Sequence, residues 1–138
     1  MSDARPGERV MLAGAVEDLA EIHRRLVGLS DAAYGQVFVE VALAEQVRIL
    51  PAPPRVTVTW LVRTERPSAV PPLCFADHGE ALAAAVIGWA TEWCRPDSEP
   101  HTTIWIGCSD SVWIDQARAA VQLELSDAGQ QVQVESGE

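Results

Sequence analysis

Residues 9–29 read RVMLAGAVEDLAEIHRRLVGL, and this stretch decides the fold class. Its first five residues form an apolar run of strand length that ends at Gly14. After this glycine, apolar residues recur at helical spacing, acidic residues come early, and Arg24 and Arg25 come late, as the helix dipole favours. The stretch therefore predicts a buried β-strand, a turn at Gly14 and an amphipathic α-helix.

The rest of the chain continues this alternation of strands and helices. Four further segments are rich in β-branched, aromatic or alternating residues and predict strands over residues 36–42, 56–62, 102–106 and 131–135. Long helices are expected over residues 78–94, where Asp77 and Glu80 resemble a capping box, and over residues 109–125. The last strand is the most polar, and we expect it at a sheet edge.

The order β-α-β-β-α-β-α-β predicts a three-layer, Rossmann-like α/β domain, with a mostly parallel five-stranded sheet and helices on both faces. We expect residues 9–135 to form this single domain, after a flexible leader at residues 1–8 and before a tail at residues 136–138. In such sheets ligands bind beyond the carboxyl ends of the strands, which makes the loops after the predicted strands the place to look for a site.

The charge composition of the chain restricts the classes of partner that it can bind. The chain has 138 residues with 20 acidic and 10 basic side chains, all of the latter Arg, and its formal net charge is −10. Phosphates would be repelled, so we expect neither a nucleic acid nor a membrane as partner. Three cysteines cannot pair completely and no signal peptide is evident, so a cytoplasmic setting is expected. The Ala-rich, Lys-free composition indicates a high-GC, bacterial source.

Three stretches carry a resemblance to a known family. They are MLAG with the following helix to residue 22, VTWLVR at residues 58–63, and IWIG at residues 104–107. In this order and spacing they resemble the C-terminal half of siderophore-interacting proteins, which are flavin-dependent ferric-siderophore reductases of the ferredoxin-reductase superfamily. The resemblance covers residues 9–135 and implies the nicotinamide-binding domain that follows an FAD-binding barrel in that family.

The flavin half of such an enzyme has no counterpart in this chain. The superfamily's Arg-x-Tyr-(Ser/Thr) motif is missing, because the only tyrosine is Tyr34 and Ala32 stands two positions before it. The resemblance therefore implies an NAD(P)H-binding half without an FAD site of its own, which serves a flavoprotein partner and is not a complete ferric-siderophore reductase. The alternative is a catalytically silent protein-interaction module that kept only the fold.

The turn at Gly14 is the first candidate cofactor site, because free N–H groups at a helix N-terminus attract phosphate. The acidic residues Glu17 and Asp18 stand against a phosphate there, no G-x-G-x-x-G is present, and Gly14 could instead relieve crowding between strand and helix. The resemblance implies a second contact at Arg63, where an Arg would meet a ribose phosphate. A surface Arg paired with Glu65 or Asp77 is the alternative.

The segment GCSDS at residues 107–111 follows the fourth predicted strand. By resemblance, Gly107, Cys108 and Ser109 correspond to the loop that meets the nicotinamide, although relatives often have Cys-Gly-Pro there. The segment also imitates a nucleophile elbow, but its fifth residue is Ser111 rather than glycine, and no catalytic triad is expected. The structural alternative is that Ser109 or Asp110 serves as a helix N-cap.

The cysteines and histidines are the candidate ligands for a metal site. Cysteine and histidine pairs could be imagined at Cys74 with His78 or at Cys94 with His101, but no C-x-x-C or H-x-x-x-H spacing occurs, so no metal site is expected.

Five tryptophans are many for a core of this size, and aromatic residues are enriched at interfaces. We therefore expect a homodimer, or a tight complex with a second protein, that buries at least one of Trp89, Trp93 and Trp113.

Overall fold

The computed structural model describes residues 9–66, 76–93, 102–108, 110–127 and 132–136. In these residues the chain forms five β-strands and three α-helices in the predicted order. They are β1 (Arg9–Ala15), α1 (Leu19–Val27), β2 (Tyr34–Val41), β3 (Arg55–Val62), α2 (Glu80–Trp93), β4 (Thr102–Ile106), α3 (Val112–Asp127) and β5 (Val132–Ser136).

The five strands form one sheet in the order β3-β2-β1-β4-β5, and every neighbouring pair is parallel. The predicted three-layer α/β class is confirmed, and β5 lies at an edge as expected. The chain moves outward from β1 through β2 to β3, then returns to the other side of β1 for β4 and β5. The strand order thus reverses between β1 and β4, and this switch point is where ligands of open α/β sheets bind.

Alternate residues of the central strands face two separate apolar cores. On one face, Met11 and Ile104 pack with residues of α2 and α3, including Leu82 and Ile114. On the other face, β1 and β2 pack with α1 and with the connection between β2 and β3, and the members include Val10, Leu12, Val37, Ile22 and Leu26. Burial of each such side chain stabilises the fold by about 1.5–3 kcal/mol. Because both faces of the sheet carry apolar side chains, helices cover both faces, as predicted.

The helices begin later than the sequence pattern indicates. A 3₁₀ turn, Val16–Asp18, precedes α1. Helix α3 begins at Val112 because the hydroxyl of Ser111 accepts a hydrogen bond of 3.4 Å from the backbone N–H of Ile114. The N-cap of α3 is therefore Ser111, and the expectation of an N-cap at residue 109 or 110 is wrong.

Helix α2 begins at Glu80, and one of the two hydrogen bonds of the predicted capping box is present at its start. The carboxylate of Glu80 accepts a hydrogen bond of 2.9 Å from the backbone N–H of Asp77. The Asp77 side chain instead accepts bonds from the backbone N–H of His78 at 2.9 Å and from the indole N–H of Trp113 at 3.2 Å. The backbone N–H of Glu80, the first residue of this helix, donates to the backbone carbonyl of Asp77 at 3.0 Å.

Some of the sequence expectations concern residues outside the described part of the chain. These are Cys74, Cys94, His101, Ser109, the side chain of Trp93, the leader at residues 1–8 and most of the expected tail. The first residue of that tail, Ser136, belongs to β5. None of the described helices is both long enough and apolar enough to cross a membrane.

Candidate functional site

Three loops meet at the switch point, beyond the carboxyl ends of β1 and β4. They comprise residues 16–18 after β1, residues 76–79 before α2 and, after β4, residues 107, 108, 110 and 111. The backbone N–H of Gly107 donates to the carbonyl of Ala13 at 2.7 Å, and the hydroxyl of Ser111 donates to the carbonyl of His78 at 2.9 Å. We call the region where these loops meet the switch-point crevice.

Asp18 joins two sides of the switch-point crevice. One of its carboxylate oxygens, Oδ2, accepts hydrogen bonds from the backbone N–H of Ala15 at 2.9 Å and from the backbone N–H of Cys108 at 2.8 Å. Loop N–H groups at a switch point are the groups that bind phosphate in nucleotide-binding α/β domains. In this chain a side-chain anion of the protein itself already accepts from both.

The two candidate glycines of the crevice border the Asp18 side chain. A Cβ on Gly14 would lie 2.7 Å from the Cβ of Asp18, and a Cβ on Gly107 would lie 2.6 Å from its Cγ. Real Cβ atoms do not approach so closely, so both glycines leave the room that the Asp18 side chain takes. Their predicted role in cofactor binding stays a prediction, but crowding by Asp18 already accounts for a glycine at each position.

Glu40, which sequence reasoning missed, is a buried carboxylate at the end of β2. Glu40 is only 2% exposed, and its carboxylate accepts hydrogen bonds from the backbone N–H of Gly79 at 2.7 Å and from that of Leu82 at 3.1 Å. These N–H groups belong to the start of α2, where an anion is stabilised by the helix dipole. A glutamate within the apolar strand sequence QVFVEVA was the signal that could have identified it.

His78 lies between the buried and the exposed acids of the crevice. Its Nδ1 is 3.8 Å from the Oε1 of Glu40, and its Nε2 is 3.0 Å from the Oδ1 of Asp110. The hydrogen bond with His78 is the main reason why the pKa of the Asp110 carboxyl is lowered from its usual value. The imidazole therefore connects the start of α2 with the loop before α3.

Cys108 carries the thiol of the crevice and is 2% exposed. Its φ of 55° is left-handed, a conformation in which non-glycine residues are uncommon. The sulfur lies 3.4 Å from the Nε2 of His78. Burial, the largest cause, and four nearby carboxylates together raise the pKa of the Cys108 thiol to about 12; the carboxylates are Glu40, Asp110, Glu17 and Asp18. The thiol is therefore protonated at neutral pH in the absence of a cation.

Arg63 follows β3 and lies on the α2 side of the sheet's carboxyl edge. Its Nε donates a hydrogen bond of 3.1 Å to the carbonyl of Ala76, and its charge contributes to lowering the pKa of Asp77. The structure therefore brings Arg63 to the loop before α2. Its predicted contact with a ribose phosphate stays a prediction.

Two tryptophans that could have marked an interface are core residues of the single chain. Trp89 is 5% exposed and lies under the guanidinium of Arg9, 5.6 Å from the ring centre. Trp105 is 3% exposed and lies under Arg25 at 5.3 Å. Packing within the domain thus accounts for both side chains. Of the three tryptophans expected at an interface, Trp113 is the one that the structure describes as only partly buried.

Comparison with known proteins agrees with this fold. The family model of siderophore-interacting proteins matches residues 8–136, nearly the whole chain. The chain belongs to the siderophore-interacting protein family. The resemblance inferred from the three sequence stretches is thereby confirmed. A comparison with curated protein sequences gives no significant match.

Solved structures of siderophore-interacting proteins share this fold. The siderophore-interacting protein SipS from Aeromonas hydrophila superimposes with a TM-score of 0.59 and 18% identity over 95% of this chain, but over 50% of its own length. A siderophore utilization protein from T. fusca gives a TM-score of 0.61 and 20% identity, over 96% of this chain and 45% of its own. The present chain thus spans about half the length of these two proteins.

Proposed function

We propose that this siderophore-interacting-protein domain is a protein-interaction module whose switch-point crevice does not receive a nicotinamide dinucleotide. The observation that carries the proposal is the position of the Asp18 carboxylate. It accepts hydrogen bonds from the backbone N–H groups of Ala15 and Cys108, which in a nucleotide-binding domain would be available to a pyrophosphate. A nucleotide would have to displace this carboxylate and leave it without those two donors.

The charge of the crevice adds to this argument. Four carboxylates of the crevice raise the pKa of the Cys108 thiol: Glu17, Asp18, Glu40 and Asp110. A pyrophosphate carries negative charge and would be repelled by this set. This repulsion supports the proposal that the crevice does not receive a dinucleotide.

A contact surface for another protein is supported by the connection between β2 and β3. Three large apolar side chains are exposed within seven residues there: Leu43 at 48%, Val47 at 41% and Ile49 at 95%. Isolated exposed apolar residues are ordinary, whereas a group of them rimmed by polar residues is typical of interaction sites. This segment lies on the same face as α1, since Leu50 and Ala52 pack into that core.

The partner is either a flavoprotein or a second copy of this chain. The chain spans half the length of solved relatives, and the family resemblance implies a flavin-binding domain as the other half. A net charge of −10 disfavours self-association and favours a partner with basic residues at the contact. A flavoprotein is therefore the partner that the proposal favours.

The second candidate function is NAD(P)H binding on behalf of such a flavoprotein. The observation that favours it is Arg63, which lies at the carboxyl end of a strand with its guanidinium only partly buried. An Arg in this place suits a phosphate group. On this reading Arg63 would bind a ribose phosphate, and the Asp18 side chain would have to rotate away from the crevice.

A calorimetric titration separates the two functions. NADPH and NADH are added separately, up to millimolar concentration, to the wild-type chain and to the Arg63→Ala variant. The interaction module predicts no saturable heat for either cofactor with either protein. Saturable heat that disappears in Arg63→Ala would establish the NAD(P)H-binding function instead.

Light scattering at micromolar concentration identifies the partner class. A mass near the 14.9 kDa of one chain leaves a second protein as the partner, and twice that mass indicates a homodimer. Ile49→Ser removes the most exposed apolar side chain of the β2–β3 connection and should abolish any dimer that uses this segment. An unchanged dimer in Ile49→Ser would place the contact elsewhere.

A further inference from the structure

The switch-point crevice brings together four potential metal ligands that are far apart in the sequence. Each offers one donor atom, and these four atoms all lie within 4.8 Å of one another. We call this group the thiol–imidazole cluster, and its members are Glu17, His78, Cys108 and Asp110. It contains one sulfur, one nitrogen and two oxygen donors.

We propose that the thiol–imidazole cluster binds one divalent first-row transition-metal ion, with Zn²⁺ as the ion it fits best. Thiolate and imidazole ligands select zinc-like, borderline-soft cations, whereas Mg²⁺ and Ca²⁺ prefer sites made of oxygen alone. Four donors correspond to the tetrahedral coordination that zinc adopts in protein sites. The inference goes beyond the interaction function, which does not require a metal.

The measured separations suit such an ion. Bonds from zinc to sulfur and nitrogen of about 2.3 and 2.0 Å place tetrahedral donors about 3.5 Å apart. The sulfur of Cys108 is 3.4 Å from the Nε2 of His78, so these two donors need almost no movement. The Oδ1 of Asp110 is 3.0 Å from the same nitrogen and would have to move outward by a few tenths of an ångström. Its side chain is 74% exposed and free to do so.

Glu40 provides the support that histidine ligands in metal sites usually have. A metal-bound imidazole commonly faces a carboxylate with its other nitrogen, which fixes the ring orientation and raises its basicity. Here the Nδ1 of His78 faces the Oε1 of the buried Glu40 at 3.8 Å, while its Nε2 points to the other donors of the cluster. Glu40 is held in turn by two backbone N–H groups of α2.

Binding of the ion would also balance the charge of the crevice. The acids around Cys108 include the two acidic members of the cluster, and Asp18 and Glu40 lie beside them. A bound divalent cation ionises a coordinating thiol. The reaction is therefore the exchange of the Cys108 proton for the ion: a sulfur–metal bond forms, the S–H bond breaks, and one proton passes to the buffer. No oxidant or reductant is needed.

Cobalt(II) is the probe that reports on the ligands. It is added to the full chain after chelator treatment and removal of the chelator, and absorption is recorded together with calorimetry. We expect one ion per chain, a thiolate-to-cobalt charge-transfer band in the near ultraviolet, and loss of that band on addition of Zn²⁺. Cys108→Ser should lose the band, whereas the matched variants Cys74→Ser and Cys94→Ser should keep it.

The histidine variants provide the second readout. His78→Ala should weaken Co²⁺ and Zn²⁺ binding by at least about tenfold, since even supporting residues of metal sites contribute 10–100-fold. His23→Ala changes an exposed histidine of α1 and should leave the affinity unaltered. Circular dichroism of the metal-free variants verifies that they fold, and Asp110→Asn replaces any variant that does not. The proposal is overturned if cobalt binds without a charge-transfer band, does not bind, or binds His78→Ala as tightly as the wild type.

Discussion

The carboxylate of Asp18 accepts a hydrogen bond of 2.8 Å from the backbone N–H of Cys108, ninety positions later in the chain. The same oxygen accepts from Ala15, so a single side chain holds together the loops after β1 and β4. These are the two loops between which the strand order of the sheet reverses. An acid of the protein thus takes the position in which related α/β folds bind an anionic ligand.

We expect Asp18→Ala to destabilise the domain. Two backbone N–H groups in a partly buried position lose their acceptor, and each such loss costs about 1–3 kcal/mol where water cannot replace the bond. Urea unfolding in the presence of a chelator measures the free energy of unfolding. Glu17→Ala, at the neighbouring exposed position, is the control and should leave that free energy nearly unchanged. An equal free energy of unfolding for Asp18→Ala and wild type would show that the two hydrogen bonds of Asp18 do not stabilise the domain.

Glu40→Gln should also destabilise the domain, by about 1–3 kcal/mol. The amide NH₂ of glutamine cannot accept a bond from a backbone N–H, so one of the donors at Gly79 and Leu82 is left unsatisfied in a buried position. The change also removes a negative charge from the start of α2. Glu45→Gln, on the exposed 3₁₀ turn after β2, is the matched control for thermal unfolding. A Glu40→Gln melting curve that superimposes on the wild type would refute this role.

Two glycines should respond to alanine in opposite directions. Gly79 has a φ of +87°, and an added Cβ would lie 2.0 Å from the Ser111 hydroxyl, so Gly79→Ala should cost at least about 1–2 kcal/mol. Gly88 lies inside α2 with nothing near the added Cβ, so Gly88→Ala should stabilise by about 0.5–1 kcal/mol. Thermal unfolding of the two variants tests this, and a shift of both melting temperatures in the same direction would contradict it.

Stability should fall with rising pH because of Cys108. The pKa of this thiol is raised from its usual 9.0 to about 12 in the folded chain. Between these values the unfolded chain releases the proton while the folded chain retains it, so the stabilisation is complete below pH 9.0 and is lost as pH approaches about 12. Chelator-treated wild type and Cys108→Ala are compared by urea unfolding across this window. The wild type should lose more stability than the variant, and parallel curves would contradict the raised pKa.

The fold was predictable because its signals are local. Gly14 after an apolar run and the spacing of Ile22 and Leu26 identify the first strand and helix, and the structure confirms both. The turn predicted at Gly14 is wrong, because β1 continues through Gly14 to Ala15. The stretch at residues 58–63 indicated both the third strand and the family. Exact helix starts were less predictable because they depend on contacts between distant elements. Ser111 rather than residue 109 or 110 is the N-cap of α3, and its hydroxyl donates to the carbonyl of His78 in another loop.

The site was predictable only in its location. The switch point follows from the order of strands, and the candidates Gly14, Gly107 and Cys108 do lie there. The acids of the loop after β1 were recognised as opposing phosphate, but the two hydrogen bonds of Asp18 depend on the approach of β4. His78 was considered with Cys74, its neighbour in sequence, whereas the sheet brings it to Cys108, thirty positions later. Pairings of this kind require the tertiary structure.

The amide resonances of Ala15 and Cys108 test the central claim most directly, because these two N–H groups are the ones that Asp18 occupies. Heteronuclear NMR spectra of the ¹⁵N-labelled chain are recorded while NADPH is added to millimolar concentration. We predict that both resonances keep their positions throughout the titration. A saturable shift of both resonances that is lost in Arg63→Ala would contradict the account, since the nucleotide would then have displaced Asp18 from the switch-point crevice.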